Sequence, residues 1–407
     1  MQHINQKEIF YINSTSKYTA KLRRALFSVT LCGVIAIIFA VLLYLCKNIF
    51  SSKVISVVYT DKLFYYINMP LKLFSRLFPF SIGELLFYIA ITLFFVSLFK
   101  AIFITTKMFR VYFTLKSSKK KSKIRHAFKP LAVFGLHLVS IVCILISIFI
   151  LFGGINYTGV TYAERAGYVL EKTSTNDLKN LCIYLGSQAS LSRSQIQSNF
   201  DSTINENYPG YNPYTLADEA QIAYKNIPDY YCVPKEDYPN AKFALGSYFM
   251  SNIHITGIYP YIFPEAIVNI DTPIMTLPHT ICHEMAHQRG FAREDEANFV
   301  AFLACIHSEN PLMRYSGYYV AFSYAMDQLY IYDNEAWKNI LNSLNSDVIL
   351  DIKKEAAYWE NFHTISSEIT TNVNNTYLST MDIEDGVESY GRMVDLLIAE
   401  AKIAGII

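Results

Sequence analysis

Residues 277–290 read Leu277-Pro278-His279-Thr280-Ile281-Cys282-His283-Glu284-Met285-Ala286-His287-Gln288-Arg289-Gly290, and the expected fold of the C-terminal part turns on them. The segment contains His-Glu-x-x-His. On a helix, residues four apart project from one face about one turn from each other. His283 and His287 can therefore hold one zinc ion through imidazole nitrogens at about 2.0–2.1 Å. Glu284 is rotated about 100° from His283 by the helical period. From there its carboxylate can reach a water beside the metal without ligating, take the proton and pass it to a leaving amine. Pro278 suits the first turn of such a helix, and Gly290 suits its end.

Three protein ligands leave one position open for chemistry. The residue three past Gly290 is Arg293, so no third histidine follows at that spacing. The next residues are Glu294-Asp295-Glu296-Ala297-Asn298. They resemble the E-x-x-A-[DN] element on the second helix of gluzincin metallopeptidases. That resemblance implies Glu294 as the third ligand and Asn298 as the residue that orients a histidine. Only six residues separate His287 from Glu294, far fewer than gluzincins usually have, so a tight turn at Gly290 is required and Glu296 stands as the alternative ligand. Small Ala297 and Ala301 let the two helices approach closely. A strand expected over Ala266–Ile270 gives the strand-then-helix order of zincin folds, in which an edge strand holds an extended peptide by backbone hydrogen bonds. His279 is expected to be a helix-start residue and Glu265 a solvated loop residue before the strand. Tyr315, Tyr318, Tyr390 and Arg392 are candidates for oxyanion or substrate contacts.

The rest of the chain places this motif. Of 407 residues, 52% are hydrophobic and 17% charged, against about 25% charged in soluble domains. Disorder and a small disulfide scaffold are excluded. Residues 1–130 carry 20 Lys and Arg against 3 Asp and Glu, and residues 131–407 carry 15 against 31. Three stretches, Ala25–Cys46, Ile82–Thr105 and Leu131–Ile155, reach the roughly 20 apolar residues that cross a bilayer. The basic tail and the nine Lys and Arg between Lys107 and Lys129 mark the cytoplasmic side. The expected topology is multi-pass in the plasma membrane, with a cytoplasmic N-terminus and residues 156–407 outside the cytoplasm. The basic loop reads as a topology signal on anionic lipid, not as a nucleic-acid site. Ser81 and Glu84 read as a capping box opening the second span.

The expected architecture is thus a membrane-anchored α+β protein. Residues 1–155 form an anchor of three transmembrane helices, and residues 156–407 a mainly helical zincin-like domain with a small sheet. Strands are expected at Phe243–Met250, His254–Tyr261 and Ala266–Ile270. One helix is expected from the Ser174 cap to Gly186, and another from Thr215. Later breaks are expected at Gly290, Pro311, Asp333-Asn334, Ser346 and 371–385. Cys182 and Cys232 are a candidate pair, while Cys282 and Cys305 read as free.

The chain also resembles a bacterial membrane-protein family known as domain of unknown function 3810. The resemblance rests on Pro79-Phe-Ser-Ile-Gly-Glu84, Gly257-Ile-Tyr-Pro-Tyr-Ile-Phe-Pro-Glu265, Leu277-Pro through Phe302, Arg314-Tyr-Ser-Gly-Tyr318 and Asp385-Gly-Val-Glu-Ser-Tyr-Gly-Arg392. It implies a three-span anchor and a zinc-metallopeptidase-like outer domain, and it brings no substrate with it. The expected function is zinc-dependent hydrolysis of a peptide bond in the cell envelope, with Zn2+ as cofactor. The alternative is a catalytically inert zincin-fold receptor or scaffold, which would not need Glu284. A transporter accessory role ranks last, because no Gly/Pro-broken span supports a pathway.

Overall fold

The structure is a computed structural model that describes residues 6–114, 125–170, 174–196, 212–362 and 390–407. In chain order the principal helices are α1 (Gln6–Asn48), α2 (Phe64–Arg76), α3 (Ile82–Thr114), α4 (Lys129–Phe149), α5 (Thr175–Ser194), α6 (Pro213–Asn226), α7 (Leu277–Gln288), α8 (Glu294–Ile306), α9 (Pro311–Tyr332), α10 (Asn334–Ser343), α11 (Ser346–Glu360) and α12 (Tyr390–Ile403). The strands are β1 (Lys242–Phe243), β2 (Gly257–Ile258) and β3 (Ile267–Val268). The chain divides into two compact units, one of Met1–Phe50 with Glu84–Ile155, the other of Ser51–Gly83 with Asn156–Ile407.

Among the described residues, three helical stretches, lying almost wholly in the first unit, are long and apolar enough to cross a membrane: Ile9–Asn48, Ile82–Phe113 and Lys129–Thr158. They turn Ile37, Phe99 and Phe103 outward, a surface that hydrocarbon solvates and water does not. α1 packs along α4, where Lys129 Nζ donates to Thr19 Oγ1 at 2.6 Å. Phe94 of α3 meets Phe134 of α4 with ring centroids 5.6 Å apart.

The second unit is built around α7, α8 and α9, with α5, α6 and α12 packed on them. Leu181, Leu185, Phe299, Leu303 and Phe322 lie in its core. Gly317 of α9 lets α8 come close: a Cβ there would sit 2.6 Å from the Cys305 Cβ. The sheet has the order β1-β3-β2, with β1 parallel and β2 antiparallel to β3. β3, the strand expected over Ala266–Ile270 as the substrate-binding edge, is therefore the middle strand, hydrogen-bonded on both sides, and β1 and β2 are the edges.

Several expectations change here. The segment 51–83, counted with the anchor from its position between two spans, packs with the second unit. Its α2 buries Phe64, Asn68, Lys72 and Ser75, a face too polar to read as a core stripe. The expected strand Phe243–Met250 shrinks to β1, because the chain turns into a short helix, Ser247–Asn252, whose Ser247 hydroxyl accepts from the Ile270 N–H. The other two strands shorten to β2 and β3. Ser174 does cap α5, accepting from the Asp177 N–H at 3.0 Å, but α5 runs through Gly186 to Ser194. A Cβ at Gly186 would meet Phe322 and Leu344 at 3.0 Å, so this glycine serves packing and not termination. α6 starts at Pro213, capped by Asn212, ahead of Thr215. Breaks fall as expected after α7, before Pro311, at Asp333 and before Ser346; 371–385 lies outside the described residues. Cys182 is buried in α5 while Cys232 is exposed, and both are free thiols. Cys282 and Cys305 are also free, with sulfurs 3.8 Å apart.

Candidate metal centre

Pro278 stands in the first turn of α7. At the far end Gly290 takes φ +95°, a left-handed conformation that glycine adopts at no steric cost. This turn lets the Phe291 carbonyl reach back to His287 Nδ1 at 2.7 Å and starts α8 after only a few residues. α8 lies against α7 and carries Glu294 and Asn298 to the histidine face.

The histidine rings meet edge-on, with Nε2 atoms 3.1 Å apart. Glu294 Oε2 lies 3.1 Å from His283 Nε2, and its Oε1 3.7 Å from His287 Nε2. These three side chains form a group whose ligand atoms all fall within 4.8 Å of one another. Donors placed 2.0–2.1 Å from a shared tetrahedral ion are about 3.3 Å apart, so the spacing fits. The donor chemistry fits as well. A carbonyl oxygen only accepts, so His287 donates Nδ1–H to Phe291 and presents its Nε2 lone pair. His283 Nδ1 is held by Asn298 Oδ1 at 2.9 Å, which aims its Nε2 the same way. Two lone pairs this close to a carboxylate repel unless a proton or cation lies among them.

The charges respond accordingly. Burial works against a charged His287, but the Glu294 charge and hydrogen bond outweigh it and raise the pKa to about 9. Burial also works against a charged Glu294, yet the imidazoles prevail and hold its carboxyl well below the usual range. Glu284 is buried, and this raises its pKa to about 7, against the pull of His283 and His287. Its Oε2 has no hydrogen-bond partner among the described residues. Its Oε1 lies against the β2 backbone, where a Cβ on Gly257 would come within 2.4 Å of it. The carboxylate is thus confined beside the histidines with one oxygen unsatisfied, which an isolated structural acid rarely tolerates.

Glu296 is turned away. It accepts from the Tyr162 N–H at 2.7 Å and from Arg293 at 3.2 Å. Of the two acids left open by the sequence, Glu294 is the one that faces the imidazoles. His279 starts α7 but is also buried, its Nε2 on the Asn298 carbonyl at 3.2 Å. Burial and the neighbouring His283 lower its pKa to about 3, so it is a neutral brace for Asn298.

The other candidates stand elsewhere. Tyr315 donates to Asp351 at 2.9 Å within the helical core. Tyr318 packs edge-on against Tyr184 and Phe302. Arg392 acts electrostatically on Asp295, and Tyr390 opens α12 with its side chain outside the described residues. Glu265 is not a solvated loop residue. It is buried in an ion pair with Lys242 at 2.6 Å and accepts from Ser75, Ser81 and the Gly83 N–H. Ser81 thus donates its hydroxyl to Glu265.

Three contributors were not named from the sequence. Tyr259 packs its ring against His287 with centroids 6.1 Å apart. Gly257 leaves room for Glu284. Lys72 of α2 is buried, donates to the Gln288 carbonyl at the end of α7 at 3.1 Å, and lies 4.4 Å from the Tyr238 ring centroid. Burial and the Arg289 charge lower its pKa to about 7. The Gly257-x-Tyr259 sequence was visible as part of the family block, but Lys72 gave no signal in a segment read as a loop.

The fold and cluster together describe a chain with three helices, among the described residues, long and apolar enough to cross a membrane, and a mainly helical unit in which two histidines and a glutamate converge. The chain belongs to the family described as protein of unknown function DUF3810, whose model matches residues 59–398. No curated protein and no solved structure matches it.

Proposed function

We propose that this protein is a membrane-anchored zinc metallopeptidase of the zincin type, with the second unit outside the cytoplasm. His283, His287 and Glu294 hold the metal, and the observation that carries the reading is their convergence beside the buried Glu284 carboxylate, whose Oε2 has no hydrogen-bond partner among the described residues. Zinc would supply Lewis acidity and lower the pKa of water to about 7. Glu284 is the general base and then the acid that protonates the leaving amine. Asn298 and the Phe291 carbonyl fix the imidazole tautomers. Edge strand β2, which touches Glu284 through Gly257, is placed to pair with an extended peptide.

The test is metal analysis and peptide-library hydrolysis with the purified full-length chain. The expected result is one zinc per chain, lost in His283→Ala together with hydrolysis. Absence of stoichiometric zinc, unchanged by His283→Ala, would overturn the reading. Asn298→Ala is expected to weaken zinc binding about 10–100-fold, measured by competition with a chromogenic chelator.

The pH dependence has a definite sign. Below about pH 9 the metal-free His287 carries a proton that the metal must displace. Zinc affinity therefore rises with pH up to about 9 and then levels off. Near neutral pH, binding should release about one proton from this residue. Calorimetry in buffers of different ionisation enthalpy measures it; a heat independent of buffer would contradict the assignment.

A further inference from the structure

Helix α2 faces the wrong way for water. Its inner face buries Asn68, Lys72 and Ser75 in line with Phe64, while Leu63, Tyr66, Pro70, Leu73 and Leu77 form an exposed apolar stripe at helical spacing. Tyr66, Leu73 and Leu77 are 68%, 51% and 74% exposed. A helix bordering water puts these classes on the opposite sides.

We infer that this stripe lies in the head-group region of the bilayer, making α2 an interfacial helix in addition to the three spans. Chain continuity selects lipid as the occupant. The apolar stretch of α1 ends at Asn48, and that of α3 begins at Ile82. Six residues from Arg76 to Ile82 reach about 20 Å at most, so α2 is tethered close to where a span enters the membrane. The connection continues the stripe: Phe74, Phe78 and Phe80 form an aromatic row with Phe74 and Phe80 exposed. Amphipathic aromatic-rich segments of this kind settle about 5–10 Å into the lipid boundary. The inference does not rest on the metal reading.

The test uses the full-length chain in phosphatidylcholine–phosphatidylglycerol nanodiscs. Leu73→p-benzoylphenylalanine and Leu77→p-benzoylphenylalanine are expected to yield lipid adducts on illumination. The same group at Tyr230, 70% exposed in the same unit, is expected to yield none. The unsubstituted chain gives a second readout: a lipid-soluble diazirine should label peptides from 63–77 more than the peptide containing Tyr230. Adducts to a second copy or another protein, or no lipid adducts with equal diazirine labelling of both regions, would overturn the inference. Neither readout depends on zinc or hydrolysis, so its failure is separable from failure of the proposed activity.

Discussion

Full-length protein carrying Glu284→Gln is expected to keep its zinc and to lose hydrolysis by about 10²–10⁴-fold, the usual contribution of a positioned general base. The amide is nearly isosteric with the carboxylate, so the tight fit against Gly257 is preserved and the loss reports proton transfer. The expected split is a fall in kcat with little change in KM, because Glu284 is not among the ligand set. Hydrolysis surviving the change would remove the mechanism. Zinc retained with no hydrolysis in either form would favour an inert receptor or scaffold. Gly257→Ala makes a complementary probe, since its Cβ would displace the Glu284 side chain and leave the ligands in place.

The second large effect is on stability. Lys242→Met is expected to cost about 3–5 kcal/mol, the range for stranding one member of a buried ion pair, read as a lowered midpoint in chemical unfolding of the metal-free chain. Lys242 and Glu265 are 7% and 1% exposed, so water cannot replace the missing ammonium. The remaining donors from Ser75, Ser81 and Gly83 favour the lower end of that range. The pH dependence follows. Burial alone would raise the Glu265 pKa, but the Lys242, Ser75, Gly83 and Ser81 hydrogen bonds outweigh it and lower it from 4.5. A depressed carboxyl contributes stability above its unfolded pKa and loses it as pH falls through the folded value. Lys242→Met removes the strongest downward pull, so acid unfolding should begin at higher pH. An unchanged acid midpoint would show that the pair does not hold the sheet to segment 75–83.

What the sequence determined by itself is what depends on local order. Three apolar stretches, two of them without a charge and the second with only Glu84 and Lys100 near its ends, mark the candidate spans, since a bilayer selects length and apolarity with no reference to partners. The interval from His283 to His287 fixed a shared helical face, since helical geometry repeats without knowledge of the rest of the chain. Caps and breakers at Pro278, Gly290, Pro311 and Asp333 marked helix ends for the same reason. Tertiary structure alone decided which acid meets the imidazoles. Glu294 and Glu296 lie two apart on α8, about 200° around its axis, and only the turn at Gly290 sets which of them faces α7. Tertiary structure also decided the role of segment 51–83. The value of Lys72 and Ser75 as a buried face depends on acceptors more than a hundred residues away in the chain, at Gln288 and Glu265, and no local pattern records a hydrogen bond of that range.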